Sequence, residues 1–511
     1  MLFDYLTANK NRMTFLQSIA TVVTKYVSNK LDIIHSDLPK TGKENSYEKG
    51  LRLLMEGIAP DDKYRQDYPD YIKSSASFRK YESRLRKKLL NMLLLVDVSG
   101  TRMSPMLKAE LDCLKMIYQA RLLTALYERA AGIDIAKKVC TISEKMGLAG
   151  TMVAGLAILR KEAAETGNDV ELTELQAQSA MWIDRMAAED RAKGYYELMD
   201  VHYAKSISQK PWLAEKAFEW ANLVEKDLKQ HDSHILNYEK FKLMYAGHHC
   251  AKEYKEAVAD MEALKAYMDN HKDFASDTRY AEIALHKLDC FMHLKEYWDG
   301  RECADMCLKY FWPGSANRLY FMELYFLFTM LTGEYNLAGG IISEARKDPY
   351  FEGLENIHKE KWLLYNAYYE YATKTSDINK KFSVVRFIND YGTLAHDKSG
   401  HNAAIYIMAW CMQVRSNVGA ITGSADALRK YRSRYLGQSQ NIRLNLFIQL
   451  METADRLDYR YLEILEQAAD IVIELQNTPI QEYTGNFEGV EIIPLDKLWS
   501  MQIQDMKKYI K

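Results

Sequence analysis

The chain has few of the residues that interrupt regular structure. Among 511 residues there are only 9 prolines and 24 glycines, and no proline occurs between Pro105 and Pro211 or between Pro349 and Pro479. Because proline and glycine mark turns, their scarcity predicts long regular elements and excludes collagen-like or low-complexity chains. Helices are the favoured element.

Cysteines are few and irregularly spaced. The chain has seven, an odd number, scattered between Cys113 and Cys411, mostly within apolar helical patterns. This distribution excludes a disulfide-rich secreted scaffold and predicts reduced thiols in the core, as is usual in a reducing compartment. We therefore expect a cytoplasmic protein.

Neither an excess of one charge nor a long apolar run is present. The 68 basic and 70 acidic residues give a net charge of −2, which argues against a globally basic nucleic-acid-binding protein. The longest uncharged apolar stretch, Met146 to Leu159, is shorter than the roughly 20 residues that a membrane-spanning helix needs. The first residues also lack the basic segment and apolar run of a secretory signal. We expect no contact with a membrane.

Apolar residues recur every three or four positions along most of the chain. The segment Met106 to Arg129 has one broad apolar face of this kind, which predicts an amphipathic helix. Short breaks between such helices predict antiparallel neighbours. The same pattern predicts helices at Glu197 to Ile207, Trp212 to Leu228, Leu236 to His249, Tyr254 to Met268, Thr278 to Leu294, Arg301 to Phe311, Leu319 to Leu331 and Ile357 to Thr373.

Three of these breaks contain a Glu-Tyr pair. The tyrosines are Tyr254, Tyr297 and Tyr335, so the spacings are 43 (297 − 254) and 38 (335 − 297) residues. A small residue follows each tyrosine by three positions, which allows the second helix to approach its partner closely. These small residues are Ala257, Gly300 and Ala338. The pattern indicates a helix-turn-helix repeat with a period typical of helical solenoids.

The repeat resembles the tetratricopeptide (TPR) family. The third unit matches that family best, through Met322, Tyr325, Phe326, Gly333, Tyr335, Ala338, Ile342, Ala345 and Pro349. The resemblance implies an all-α fold, a right-handed α-solenoid of antiparallel helix hairpins. We expect this TPR-like array at residues 101–378, clearest at 236–349. Irregular helical capping regions are expected at residues 1–100 and 379–511, because repeat arrays need atypical ends.

The resemblance also implies a function. The first helix of each unit lines a concave face in such arrays, and this face binds a protein or peptide. We therefore expect a non-catalytic scaffold or adaptor, with a protein or peptide as partner. If the family's register applies, the partner-binding residues are Glu239, Lys242, His249, Tyr320, Glu323 and Met330. Packing between helices is the alternative role for the many tyrosines.

A basic helix supports a second hypothesis. Its cations include Arg84, Arg86, Lys87 and Lys88, with only Glu82 as a nearby acid. A basic helix face can bind phosphates, so the alternative is a peptide-sensing regulator whose N-terminal helix contacts nucleic acid. A solvated or acid-paired face is the simpler interpretation. The segment 429–435 mixes arginines with tyrosines and raises the same two possibilities.

Few other segments suggest chemistry. The sequence from Asp97 to Thr101 follows an apolar run and resembles the Mg²⁺ site of von Willebrand A-type domains, but a helix from Phe78 to Val96 is the simpler explanation. Cys303 and Cys307 could join the segment His248 to Cys250 in a zinc site, or be buried thiols. No catalytic motif occurs, although an enzyme site assembled from distant helices would leave none. We expect no metal and no cofactor.

One segment favours a strand. Residues 490–493 read Val-Glu-Ile-Ile and are followed by Pro494. The β-branched residues predict a short strand that ends at the proline, before a terminal helix.

Overall fold

The fold is all-α over the residues that the structure describes. A computed structural model describes residues 16, 19, 20, 22, 23, 46–55, 75–205, 210–354, 356–373, 401–416, 442–480 and 491–507. These ranges contain nineteen α-helices, two short 3₁₀ helices and no strand. The all-α prediction is therefore confirmed at this level.

The helices follow one another closely along the chain. They are α1 (Ser46–Met55), α2 (Ser75–Leu93), α3 (Pro105–Ala125), α4 (Arg129–Met146), α5 (Ala149–Glu165), α6 (Asp169–Lys205), α7 (Lys210–Leu228), α8 (His234–Cys250), α9 (Tyr254–Asn270), α10 (Asp277–Leu294), α11 (Tyr297–Cys307), α12 (Ala316–Thr332), α13 (Tyr335–Lys347), α14 (Asn356–Thr373), α15 (His401–Ser416), α16 (Ile442–Arg456), α17 (Tyr461–Gln467), α18 (Ala469–Asn477) and α19 (Leu495–Lys507).

Each helix from α3 to α14 packs against the next one in sequence. Alternate helices also touch, as α6 does with α8 and α10 with α12. Such nearest-neighbour packing is what a helical-repeat fold requires, because no single hairpin can bury its own apolar face.

The Glu-Tyr pairs lie where the repeat prediction put them, between two helices. Lys252, Lys295 and Gly333 precede the three pairs and have left-handed φ angles of 65°, 62° and 84°. The following glutamate amide then donates to a carbonyl five residues earlier, for example from Glu334 to Thr329 at 2.8 Å. This is the hydrogen bond of a helix C-cap with a left-handed residue, and the tyrosine begins the next helix. The three turns therefore share one backbone geometry.

The small residue after each tyrosine is buried against a neighbouring helix. Ala257 and Ala338 have no exposed surface. At Gly300 the neighbour is closer, because a Cβ atom there would lie 2.4 Å from Cε1 of Phe328 on α12. Only glycine fits between α11 and α12 at this position.

Several helix bounds differ from the expected ones. α6 is a single helix from Asp169 to Lys205, whereas the periodicity indicated only its last part. α11 begins at Tyr297 and ends at Cys307, with a 3₁₀ helix at Leu308–Tyr310, so the expected bounds Arg301 to Phe311 were shifted. The cause is the turn itself, since the left-handed Lys295 allows a helix to start immediately after Glu296.

The strand prediction was wrong for the described residues 491–493. Ile492 and Ile493 are buried in an irregular segment just before α19, so their β-branched side chains serve the core without forming a sheet. The run before Asp97 is also not a strand, because α2 continues to Leu93. Asp97 accepts the Ser99 amide at 2.8 Å in a turn after the helix, as the helix alternative predicts.

The core is divided along the chain. α1 and α2 enclose a separate apolar cluster with Leu16 and Val23. A continuous core extends from α10 to α19, where the buried pair Arg415 and Asp505 joins α15 to α19 at 2.8 Å. None of the described helices combines the length and apolar character needed to cross a bilayer. The segment 429–435, which mixes arginines with tyrosines, lies outside the described residues.

Candidate functional site

Four helices begin at the rim of one cavity. It has a volume of about 600 Å³, and the first turns of α3, α8, α10 and α12 contribute to its wall. Representative residues from these turns are Met106, Ile235, Thr278 and Asn317. Its size is typical of a site that encloses a small molecule or a few peptide residues.

A serine caps each of these four helices. Ser276 accepts the amide of Arg279 at 3.3 Å, and Ser315 accepts that of Arg318 at 3.2 Å. Ser104 and Ser233 make the equivalent bonds for α3 and α8. Helix N-termini carry partial positive charge, so four of them around one cavity favour a negatively charged occupant.

Aromatic rings make up much of the wall. They are Tyr238, Phe274, Tyr310, Phe311 and Trp312. Rings of this kind offer large contact areas at low entropic cost, and they also attract cations to their faces.

Arg279 is the most enclosed cation of the cavity. Its guanidinium lies 3.8 Å from the ring centre of Phe274 and 5.2 Å from that of Tyr238, and it donates to the Phe274 carbonyl. Burial lowers the pKa of Arg279 from its ordinary value. No ion pair joins this guanidinium to a carboxylate among the described residues. Tyr238 and the negative charges of Glu282 and Glu239 partly offset the effect of burial. A guanidinium has five donors, so it can still bind a planar acceptor in the cavity.

The cavity as a whole has more cations than acids. Arg102 and Lys193 accompany Arg279, against Glu110 and Glu239. Burial raises the pKa of Glu239, and the charge of Lys242 partly offsets this effect. The excess of cations and the partial charges of the helix N-termini thus both make the cavity positive.

A polar network behind the cavity joins α8 to α10. The Lys242 ammonium lies 3.6 Å from Glu239 and 3.3 Å from Glu282. Tyr238 also donates to Glu282. Burial raises the pKa of Glu282, but the hydrogen bond from His286 and the charge of Lys242 outweigh burial, so its pKa is lowered overall. Glu282 therefore has Lys242, His286 and Tyr238 as partners, and its charge also acts on Arg279.

The six residues expected to contact a partner are all buried. Only Glu239 lines the cavity, and Lys242 lies directly behind it. Glu323 accepts the Tyr365 hydroxyl at 2.7 Å and lies 3.3 Å from Lys361, so it joins α12 to α14. Tyr320 and Met330 lie on α12 within the hydrophobic core. His249 lies at the C-terminal end of α8, away from the cavity. Their role in binding stays a prediction.

Three side chains that could hold a metal ion meet at the C-terminal ends of α8 and α10. They are His249, Asp289 and His293. The pKa of Asp289 is about 2, because the hydrogen bond and charge of His249 outweigh the raising effect of burial. Cys303 and Cys307 are not part of this group, and their sulfurs lie 4.0 Å from each other. The alternative zinc set with two cysteines is thus not assembled among the described residues.

The basic face of α2 is largely open to solvent. Arg84, Arg86 and Lys87 are exposed and Lys88 is half-buried. Residues on the opposite face, such as Leu85, are buried in the N-terminal cluster.

Sequence reasoning missed the cavity and Arg279. A signal was present, because Ser276 and Ser315 are each followed by an arginine three positions later, 39 residues apart (318 − 279). This matches the repeat period. Comparisons with protein-family models, with curated proteins and with solved structures gave no match for the chain.

Proposed function

We propose that the chain is a peptide-binding scaffold whose cavity at the starts of α3, α8, α10 and α12 takes an anionic segment of a partner protein. The proposal includes the finer fold, a right-handed, TPR-like array of antiparallel helix hairpins. It is supported by the cavity, at which the alternate helices α8, α10 and α12 all begin. In an antiparallel array the intervening helices α9 and α11 run the other way.

Arg279 carries the functional part of the proposal. The half-buried Arg279 guanidinium has no carboxylate within ion-pair distance among the described residues, although Glu282 and Glu239 attract it from farther away, so a ligand carboxylate would add a direct partner. A carboxylate matches it best, since a guanidinium can donate two parallel hydrogen bonds to the two oxygens. The aromatic rings beside Arg279 would bury an apolar side chain next to that carboxylate. A short peptide that carries an acid and an apolar group fits these requirements.

A displayed random-peptide library panned on the full chain tests the proposal. Recovered peptides are expected to combine an acidic group with an apolar residue. Binding of a synthetic copy is then measured by fluorescence polarisation. Replacing its acid by the corresponding amide should weaken binding at least tenfold, because each charged hydrogen bond contributes about 1.5–3 kcal/mol.

The protein side is tested by Arg279→Gln, which should cause a similar loss. Arg191→Gln is the matched control, because it removes the same charged group. Arg191 is close in sequence to the cavity residue Lys193, but it pairs with Asp227 on the surface. Unchanged affinity in Arg279→Gln, or equal losses in both variants, would reject the cavity as the binding site. A cytoplasmic location is part of the proposal, supported by seven cysteines without a disulfide.

The exposed cations of α2 favour a second candidate, a peptide-sensing regulator that contacts nucleic acid. It predicts binding to a DNA duplex that weakens steeply between 50 and 200 mM salt. Reversing the charges of Arg84, Arg86 and Lys87 to glutamate should abolish that binding. The same change at the exposed lysines 137, 138 and 145 of α4 is the control. Equal binding by both triple variants would rule out α2.

A further inference from the structure

Three ligand-type side chains converge where α8 and α10 end. Asp289 and His293 lie one turn apart on α10, and His249 is the second-last residue of α8. One ligand atom of each lies within 4.8 Å of those of the other two. His249 Nε2 is 2.7 Å from Asp289 Oδ2, and His293 Nε2 is 3.9 Å from the same oxygen. The group is assembled from two units of the array, not from one turn.

These separations suit a small tetrahedral ion. Zinc–ligand bonds of about 2.0–2.1 Å at tetrahedral angles hold neighbouring ligand atoms roughly 3.3 Å apart. The two measured distances lie on either side of that value. Side-chain rotations that move the ligand atoms by less than about 1 Å would therefore complete a site without a change in the backbone.

The two imidazoles are held in place by one tyrosine. The His293 ring stacks on Tyr254 with 4.3 Å between ring centres and 3° between planes. The His249 ring meets the same tyrosine edge-on at 5.4 Å. Tyr254 is the tyrosine of the first Glu-Tyr turn, so the repeat motif itself orients both rings. Packing of this kind reduces the cost of ordering ligands around an ion.

The donor set selects the class of metal. Two imidazoles and one carboxylate suit zinc and similar transition metals, whereas Mg²⁺ and Ca²⁺ prefer oxygen ligands. Both histidines are buried, while the Asp289 side chain keeps 19% of its surface accessible. The carboxylate side is thus the route for an ion and for a water molecule.

We propose that His249, Asp289 and His293 bind one zinc ion, with the fourth position taken by water. Three protein ligands and an open position distinguish this site from a closed structural zinc site, which has four. The bound ion would link the C-terminal end of α8 to that of α10, close to the turn that connects α8 to α9. It is independent of the cavity, which lies at the opposite ends of these two helices.

The test is zinc binding by the full chain. Protein stripped with a chelator is titrated with zinc chloride, and the bound metal is counted by mass spectrometry after desalting. One zinc per chain is expected. His293→Gln and Asp289→Asn should each weaken binding at least thirtyfold. His248→Gln is the control, because His248 is adjacent to the site but pairs with Asp260 on α9 at 2.7 Å. It should keep wild-type affinity.

A second measurement needs no variant and so does not depend on how the variants fold. Cobalt(II) added to the stripped wild-type chain should give the intense visible absorption of a tetrahedral site, and excess zinc should remove it. Circular dichroism shows whether each variant keeps its helices. Less than about 0.1 zinc per wild-type chain, octahedral cobalt bands, or equal affinity in a folded His293→Gln would overturn the proposal.

Discussion

Arg279 and Arg318 occupy the same position in two successive units but have different surroundings. Each lies three residues after a capping serine and donates to the carbonyl of a preceding phenylalanine, Phe274 or Phe311. Arg318 also meets Glu344 at 3.2 Å and Asp348 at 3.4 Å. Arg279 meets two aromatic rings and no described carboxylate.

The comparison separates an arginine that makes two ion pairs from one that has no carboxylate within ion-pair distance among the described residues. The two units share the capping serine and the arginine three residues later but differ at the positions between them, so both the local sequence and the neighbouring helices contribute to the difference. Around Arg318 the acids of α13 and of its C-cap residue Asp348 complete the charge. Around Arg279 the acids Glu282 and Glu239 attract the guanidinium from beyond ion-pair distance, and the cavity lies beside it. The two units thus share a cationic position, whereas the serines that cap α3 and α8 are followed three residues later by leucines.

The largest expected effect tests the difference between Arg318 and Arg279 directly. Arg318→Gln should lower the free energy of unfolding by about 3 kcal/mol, because it leaves the Asp348 carboxylate, only 1% exposed, without its cation. Arg279→Gln should change it by less than about 1 kcal/mol, since no buried acid loses a partner. Urea unfolding followed by circular dichroism measures both. Equal losses would mean that Arg279 is structural too.

The second prediction concerns the contact between neighbouring units. Gly300→Ala should cost about 2 kcal/mol, because its methyl group would overlap the Phe328 ring. Ala338→Gly, at the same repeat position one unit later, should cost only about 1 kcal/mol through lost helix propensity. Thermal unfolding checks the difference. A tolerated Gly300→Ala would show that α11 and α12 can separate at little cost.

The third prediction concerns Glu282, the acid that pairs with Lys242 and forms no ion pair with Arg279. Glu282→Gln should lower stability by about 1 kcal/mol at pH 7, a modest value because this side chain keeps 32% of its surface accessible. The folded-state pKa of Glu282 is lowered, so its contribution is present above the unfolded pKa of about 4.5 and is lost as pH falls below it. The difference between wild type and variant should therefore shrink from pH 5 to pH 3. A constant difference would contradict this assignment.

The smallest expected effect concerns the left-handed residue that precedes each Glu-Tyr pair. Lys295→Gly should raise stability by about 0.5–1 kcal/mol, because glycine adopts a φ of 62° without strain. The reverse change, Gly333→Lys, should lower it by a similar amount. Melting temperatures of the two variants give the comparison. If both fall, the Lys295 side chain has a role beyond the turn.

Much of the fold could be predicted from local patterns. The Glu-Tyr turns were found because a left-handed C-cap and the following helix are fixed by a few adjacent residues. The long α6 was predicted only in part, and Gly194, which is half-buried with open space at its Cβ position, lies within it without marking a break. The buried pair Ile492 and Ile493 shows the opposite case, in which β-branched residues fill a core without pairing as strands.

The candidate sites could be predicted less well. The cavity depends on four helix starts that are far apart in sequence, and its key residue differs from Arg318 only through tertiary neighbours. His249 is likewise 40 residues from Asp289 (289 − 249), and only Asp289 and His293, four positions apart, have helical spacing. Sequence periodicity predicts which face of a helix is buried, but it does not predict which polar groups meet there.

The 37-residue helix α6 has a mechanical consequence. At 1.5 Å per residue it is roughly 55 Å long. Ser179 in its first half bonds to Arg160 of α5, while Arg191 and Tyr195 in its second half contact α7. A force that pulls the early helices away from α7 would have to bend or unwind this continuous helix or detach its side-chain contacts, because no turn lies between the two sets of contacts. Relative movement of the early helices and α7 therefore needs more work here than at a flexible turn.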